Sequence, residues 1–133
     1  MNYLTLLEVA DLTAELLDME DVTAGAIDNA LSQTVGVYQR ESFVPRECVG
    51  GAESSYQTAK LRFLLRWGSS PTAAEAKAAE LAELLSSLSS METSGHIIRF
   101  ADVKAVRSIG KDEKGVCEYI VDADMIYSER NDE

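Results

Sequence analysis

Two cysteines, two prolines and one histidine in 133 residues leave little from which to build a disulfide framework, a metal cluster or a histidine-dependent active site. Cys48 and Cys117 are far apart, with no CxxC or CxxxH spacing, so a reduced intracellular protein is expected. His96 is the only imidazole, and no oriented partner stands beside it in the sequence, so it reads as a structural or solvent-exposed residue. The patterns GxSxG, HExxH, GxxxxGK and GxGxxG are all missing; no catalysis and no cofactor are expected. There is no basic N-terminal region followed by an apolar one, and no run of about 18 apolar residues, so the chain is expected to be neither exported nor membrane-spanning. Bases are also scarce: 12 Lys and Arg against 23 Asp and Glu give a net charge of −11. Specific nucleic-acid binding that neutralises phosphates is disfavoured by such a balance, whereas repelling DNA is compatible with it.

What is present is ordinary globular material, 46% apolar and 26% charged, and residues 1–133 are expected to form a single domain. The charge is unevenly placed. Residues 1–55 carry ten acids against Arg40 and Arg46, residues 56–110 carry seven bases against five acids, and residues 111–133 carry eight acids against three bases.

From Asn2 to about Met19, Tyr3, Leu6, Leu7, Ala10, Ala14 and Leu17 recur at helical spacing, with Val9, Leu12 and Leu16 widening the stripe. The opposite face lines up Glu8, Asp11, Glu15 and Asp18, either as a solvated face or as a surface that meets a basic partner or lines a passage. A second helix is predicted from a Thr72–Glu75 capping box to about Ser89, burying Ala74, Ala78, Leu81, Leu85 and Leu88.

Strand-like alternation appears four times. Thr34 to Arg40 is short and weakened by Gly36. Tyr56 to Trp67 turns Ala59, Leu61, Phe63, Leu65 and Trp67 one way and Lys60, Arg62 and Arg66 the other. Ile97 to Arg107 slips in phase near Ala101 and Asp102, predicting a bulge or break. After the polar turn Gly110 to Gly115, residues 116–127 alternate again, with Glu118, Asp122 and Asp124 on one face, and the last two strands are expected to form an antiparallel hairpin. Between the first two strands, the Pro- and Gly-containing segment 41–55 reads as a long mobile loop, and residues 129–133 as a flexible acidic tail. The expected architecture is α+β: an antiparallel or mixed sheet of about four strands packed against two helices.

Asp122, Asp124 and Glu118 do not make a convincing cation site, because a hard cation needs about six converging oxygens that a strand does not supply. Cross-strand pairing with Lys60, Arg62 and Arg66 is better motivated. The same six side chains are also candidates for a subunit or partner interface, and Phe43, Val44 and Arg46 for a loop that contacts a partner. A rival reading is a cytoplasmic small-molecule or peptide-binding module in which Trp67 and Tyr119 line a pocket.

Residues 58–88 (TAKLRFLLRWGSSPTAAEAKAAELAELLSSL) followed by residues 100–127 (FADVKAVRSIGKDEKGVCEYIVDADMIY) resemble the minor capsid or tail-terminator proteins of long-tailed phages of Gram-positive bacteria. The likeness covers about the C-terminal 70 residues well and TVGVYQR more loosely: a strand ending in Trp67, a capped helix, a strand, a turn with Gly110, Asp112 and Gly115, and a last strand alternating with acids. The resemblance implies a structural virion protein at the head-tail junction, assembled in the host cytoplasm. It implies a homo-oligomeric, six-subunit ring that caps the tail tube, contacts tube and head connector or stopper proteins, and lets DNA pass. Head-completion and tail-adaptor roles belong to related folds and stay open.

Overall fold

The computed structural model describes residues 3–40 and 56–129. Segment 41–55, with Phe43, Val44, Arg46 and Cys48, and residues 130–133 of the acidic tail lie outside them. In chain order the elements are α1 (Leu6–Leu17), β1 (Val22–Ala24), β2 (Gln33–Gln39), β3 (Gln57–Trp67), α2 (Pro71–Ser86), β4 (Met91–Glu92), β5 (His96–Lys111) and β6 (Cys117–Glu129). Among the described residues the strands form one sheet in the order β1-β2-β3-β6-β5-β4, parallel only between β1 and β2. This is the expected α+β class, with six strands instead of about four. The two extra strands have three and two residues, too few for alternation to register in the sequence.

α1 starts at a capping box. Thr5 Oγ1 accepts from the Glu8 amide at 3.1 Å, and the Thr5 amide donates back to Glu8 Oε1 at 3.2 Å, so the helix begins at Leu6, leaving Tyr3 and Leu4 of the expected span outside it, while Asn2 lies outside the described residues. It stops where Asp18 turns left-handed at φ 53° and the Met19 amide donates to the Ala14 carbonyl. The buried stripe is Val9, Ala10, Leu12, Thr13 and Leu17; Leu7, placed on the expected stripe, is 62% exposed. α2 begins two residues before its predicted box: Ser70 is the cap, accepting from the Ala73 amide at 3.3 Å, and Pro71 takes the first helical position. It ends at Ser86, with the expected Ala74, Ala78, Leu81 and Leu85 buried.

The predicted hairpin forms between β5 and β6, and its strands differ in length in an informative way. β5 has 16 residues against 13 in β6, and three register shifts, at Ile98/Phe100, Val103/Ala105 and Ser108/Gly110, absorb the difference. Each shift lets one residue of β5 bulge out, which is why the sequence alternation loses phase there; the expected single break at Ala101–Asp102 is replaced by bulges on either side. Asp112 closes the turn, its Oδ1 accepting from the Lys114 and Val116 amides at 2.9 Å each.

One face of the sheet carries the core. Val35 and Val37 of β2, Leu61, Phe63 and Leu65 of β3, and Val121, Ala123 and Met125 of β6 meet Val9 and Leu12 of α1 and Leu81 and Leu85 of α2. Fully burying such side chains stabilises by about 1.5–3 kcal/mol each. On the other face, the connection 25–32 passes over β2, and Gly36 is the point of closest approach. A Cβ there would lie 2.9 Å from Tyr38 Cε2, 3.1 Å from the Ala26 carbonyl oxygen and 3.2 Å from Ile27 Cβ. The glycine that weakens the strand by propensity is thus what lets the crossover lie flat.

His96, read as structural or exposed, is 2% exposed and bonded through Nδ1 to Glu8 Oε2 at 2.8 Å, with its ring edge-on to Tyr127. Thr93 Oγ1 and the Gly95 amide donate to the same oxygen at 2.7 and 3.2 Å. Glu8 therefore does not belong to a solvated acidic stripe; it ties the start of α1 to the β4–β5 turn.

Burial alone would raise the Glu8 pKa, but hydrogen bonds from His96, Thr93 and the Thr5 amide outweigh it and hold the group at about 2 instead of 4.5. A depressed carboxylate contributes stability that is complete above its unfolded pKa and is lost as pH falls through the folded one. Glu8→Gln is expected to cost about 1–3 kcal/mol at pH 7, and denaturant titrations should show the gap to wild type closing between about pH 4.5 and 2. Gly36→Ala, facing backbone and a packed ring, is expected to lower stability by about 1–3 kcal/mol in the same assay.

Candidate functional site

The candidate site is the face of the sheet away from the helices, where β3 and β6 run antiparallel in a register that sets Lys60 opposite Asp124, Arg62 opposite Asp122 and Arg66 opposite Glu118. All six charged residues singled out in the sequence are thereby brought together, base facing acid, inside one chain. Arg62 grips Asp122 with two bonds, Nε to Oδ1 at 2.8 Å and Nη2 to Oδ2 at 3.0 Å. That hydrogen bond holds the Asp122 carboxyl below the ordinary carboxylate range against its burial, and raises the Arg62 pKa.

Arg66 is the most deeply buried of the six, 2% exposed. Its Nη1 reaches Asp112 Oδ2 at 2.5 Å and Glu118 Oε2 at 3.4 Å, while Nε and Nη2 donate to the Leu31 and Asn29 carbonyls at 3.4 Å each. One guanidinium thus ties together β3, β6, the β5–β6 turn and the 25–32 crossover. A lysine, with a single ammonium, could not span these directions. The Asp112 carboxyl is held below its ordinary range, first by the Val116 amide and then by Arg66.

Sequence reasoning missed two participants. Arg40, following β2, pairs through Nη2 with Asp124 and donates through Nη1 to the Leu61 carbonyl at 3.3 Å. Its signal was available, since it shares alternation with Tyr38. Asp112 was seen as a turn residue only, because nothing local says that a side chain 46 positions away will reach it.

Outside this ladder the charge is strongly segregated. The outward surfaces of the helices expose Asp11, Glu15 and Asp18 on α1 and Glu75, Glu80 and Glu83 on α2, against Lys77 as their base. Lys77 itself reaches Glu80 at 3.3 Å and lies 4.8 Å over the Trp67 ring. Trp67 is therefore partly covered, and Tyr119 packs against the core. An open groove among the described residues lies elsewhere, between Leu16, Leu84 and the segment 87–92. Among the described residues no group of three or more His, Cys, Asp or Glu could hold a metal ion, and no helix is long and apolar enough to cross a membrane.

Arg66→Ala leaves Asp112 and Glu118 without their shared cation and is expected to cost about 3–5 kcal/mol in denaturant unfolding. Arg62, with a side chain 36% exposed, is expected to cost only about 1 kcal/mol on truncation. Arg62→Glu and Asp122→Arg should each destabilise the isolated chain, and the double exchange should recover most of the loss. Single changes that leave the melting temperature alone and act only on association would mean that these side chains serve an interface instead.

No curated protein is significantly similar in sequence. Among solved structures, one that is 15% identical superposes with a TM-score of 0.50 over 96% of this chain and 91% of its own, which shows a shared fold. The family model described as bacteriophage tail terminator protein matches residues 7–129, from the second residue of α1 to the last of β6. A match that spans both helices and the whole sheet means that the chain belongs to the bacteriophage tail terminator family, a family of structural phage tail proteins.

Proposed function

We propose that this protein caps the completed tail tube as a ring at the head-tail junction of a phage, contacting the tube protein on one side and a head connector or stopper protein on the other. The observation that carries this reading is the family match over residues 7–129. The charge layout supports it. A ring around a DNA channel works best if its lumen repels the phosphate backbone, so that DNA slides without being held. The outer helical surface of this chain, with Asp11, Glu75, Glu80 and Glu83 exposed, is suited to line such a passage. The work asked of the protein is binding and geometry, with no bond made or broken.

Phe43, Val44 and Arg46 remain our proposal for a segment that meets the tube, on sequence grounds alone. The Lys60, Arg62, Arg66, Glu118, Asp122 and Asp124 face contributes to assembly by fixing the sheet. Its exposed members, Lys60 and the outer part of Arg62, are the ones that can also face a partner.

Purified tube protein allowed to polymerise with and without the chain tests the reading. Tubes should stop elongating when the chain is added, and electron images should show density at one end of each tube. Unchanged elongation, or decoration along the tube wall, would contradict it.

A further inference from the structure

The geometry points to the outer edge of β5, from Lys104 to Lys111, as the surface on which the acidic α1–β1 flank of a second copy docks, head to tail. This inference rests on the ring reading above and names the faces that would build the ring.

Three observations carry it. The first is an open edge. β4 pairs with β5 only at Ile97 and Ile98, so among the described residues no strand covers β5 beyond that point. Along the uncovered stretch Val106 and Ile109 are 44% and 43% exposed. Apolar side chains beside unpaired backbone are an association surface unless something protects them.

The second is charge. In a chain of net charge −11, β5 carries Arg99, Lys104, Arg107 and Lys111 against Asp102 as its one acid. Lys104, Arg107 and Lys111 are exposed. At the far side of the sheet the situation is reversed. Residues 3–39 contain seven acids and no lysine or arginine. Glu8 is consumed by His96, while Glu15, Asp18, Glu20, Asp21 and Asp28 are exposed around the C-terminal end of α1 and the β1 edge. The strand order β1-β2-β3-β6-β5-β4 puts these opposite charges on opposite sides of one sheet.

The third is what the edge forbids. Two β5 edges meeting about a twofold axis would juxtapose lysines and arginines, and bulges at Val103/Ala105 and Ser108/Gly110 interrupt a continuous ladder. A self-complementary dimer through β5 is therefore opposed. A basic edge meeting an acidic flank is heterologous, and heterologous contacts propagate until they close.

Carbodiimide cross-linking of the full chain, mixed in normal and nitrogen-15-labelled forms, reads the contact directly. Mixed-isotope cross-links are expected between Lys104 or Lys111 and Glu15, Glu20 or Asp21. The variants Lys104→Glu/Arg107→Glu and Glu15→Lys/Glu20→Lys should each raise the concentration needed for assembly about tenfold or more, seen by light scattering at low salt. Mixing the two, or combining the four changes in one chain, should restore it in part. Unaltered melting temperatures would show that the variants fold, since all four side chains are exposed. Oligomers that cross-link through other faces, or that ignore the charge reversals, would overturn this inference and leave the ring reading standing. A chain that stays monomeric at every concentration and also fails to cap tubes would overturn both.

Discussion

The pairing of β3 with β6 is the constraint on which the rest of the molecule depends. Its register puts Leu61, Phe63 and Leu65 beside Val121, Ala123 and Met125 on one face and turns Arg62 to Asp122 and Arg66 to Glu118 on the other. A slip of one residue would send the apolar set to solvent and bring charges under the helices, so two independent interactions reject it at once. These strands are also the central pair of the sheet, so β2 and β1 extend from one side and β5 and β4 from the other. Everything peripheral inherits its position from that register.

The charge ladder does more than add a few tenths of a kcal/mol per pair. Arg66 is buried, and a buried guanidinium is tolerated only because its donors meet Asp112, Glu118 and two carbonyl oxygens. Satisfying those donors forces the crossover 25–32 and the β5–β6 turn to converge at one end of the sheet. At the other end the Glu8 carboxylate does the corresponding work for α1. Because these internal positions absorb both bases and acids, the charge left outside is unevenly placed: acid predominates on the helices and the β1 flank, and base outnumbers acid on β5, where Lys104 pairs with Asp102 at 2.7 Å. An assembling protein needs different faces at its two sides, and this sorting supplies them without any element built for the purpose.

Strong alternation made the central sheet readable from sequence. Residues 56–67 and 116–127 each hold a phase for about six pairs, and nothing in the tertiary structure disturbs it. The cross-strand partnership of Arg62 and Asp122 follows from that phase when the two strands are neighbours. What stayed hidden did so for stated physical reasons. β1 and β4 are too short to show a period. The Ser70–Pro71 start of α2 competed with a nearby Thr72–Glu75 pattern that also opens on a hydroxyl residue able to cap, and backbone geometry chose between them. Glu8 looked like one more member of an acidic face because its partner, His96, is 88 positions away. The bulges of β5 were visible only as lost phase, since their number depends on the length of the strand opposite.

Amide hydrogen exchange, compared between the free chain and its assembled form, tests most directly whether a rigid β3–β6 centre carries associating edges. Amides of residues 61–65 and 119–125 should exchange slowest in both states, and those amides of residues 104–111 that point to the open edge, away from β6, should exchange quickly in the free chain and become protected on assembly. Fast exchange at the β3–β6 centre, or protection that appears on assembly while residues 104–111 and the α1–β1 flank stay open, would contradict the account.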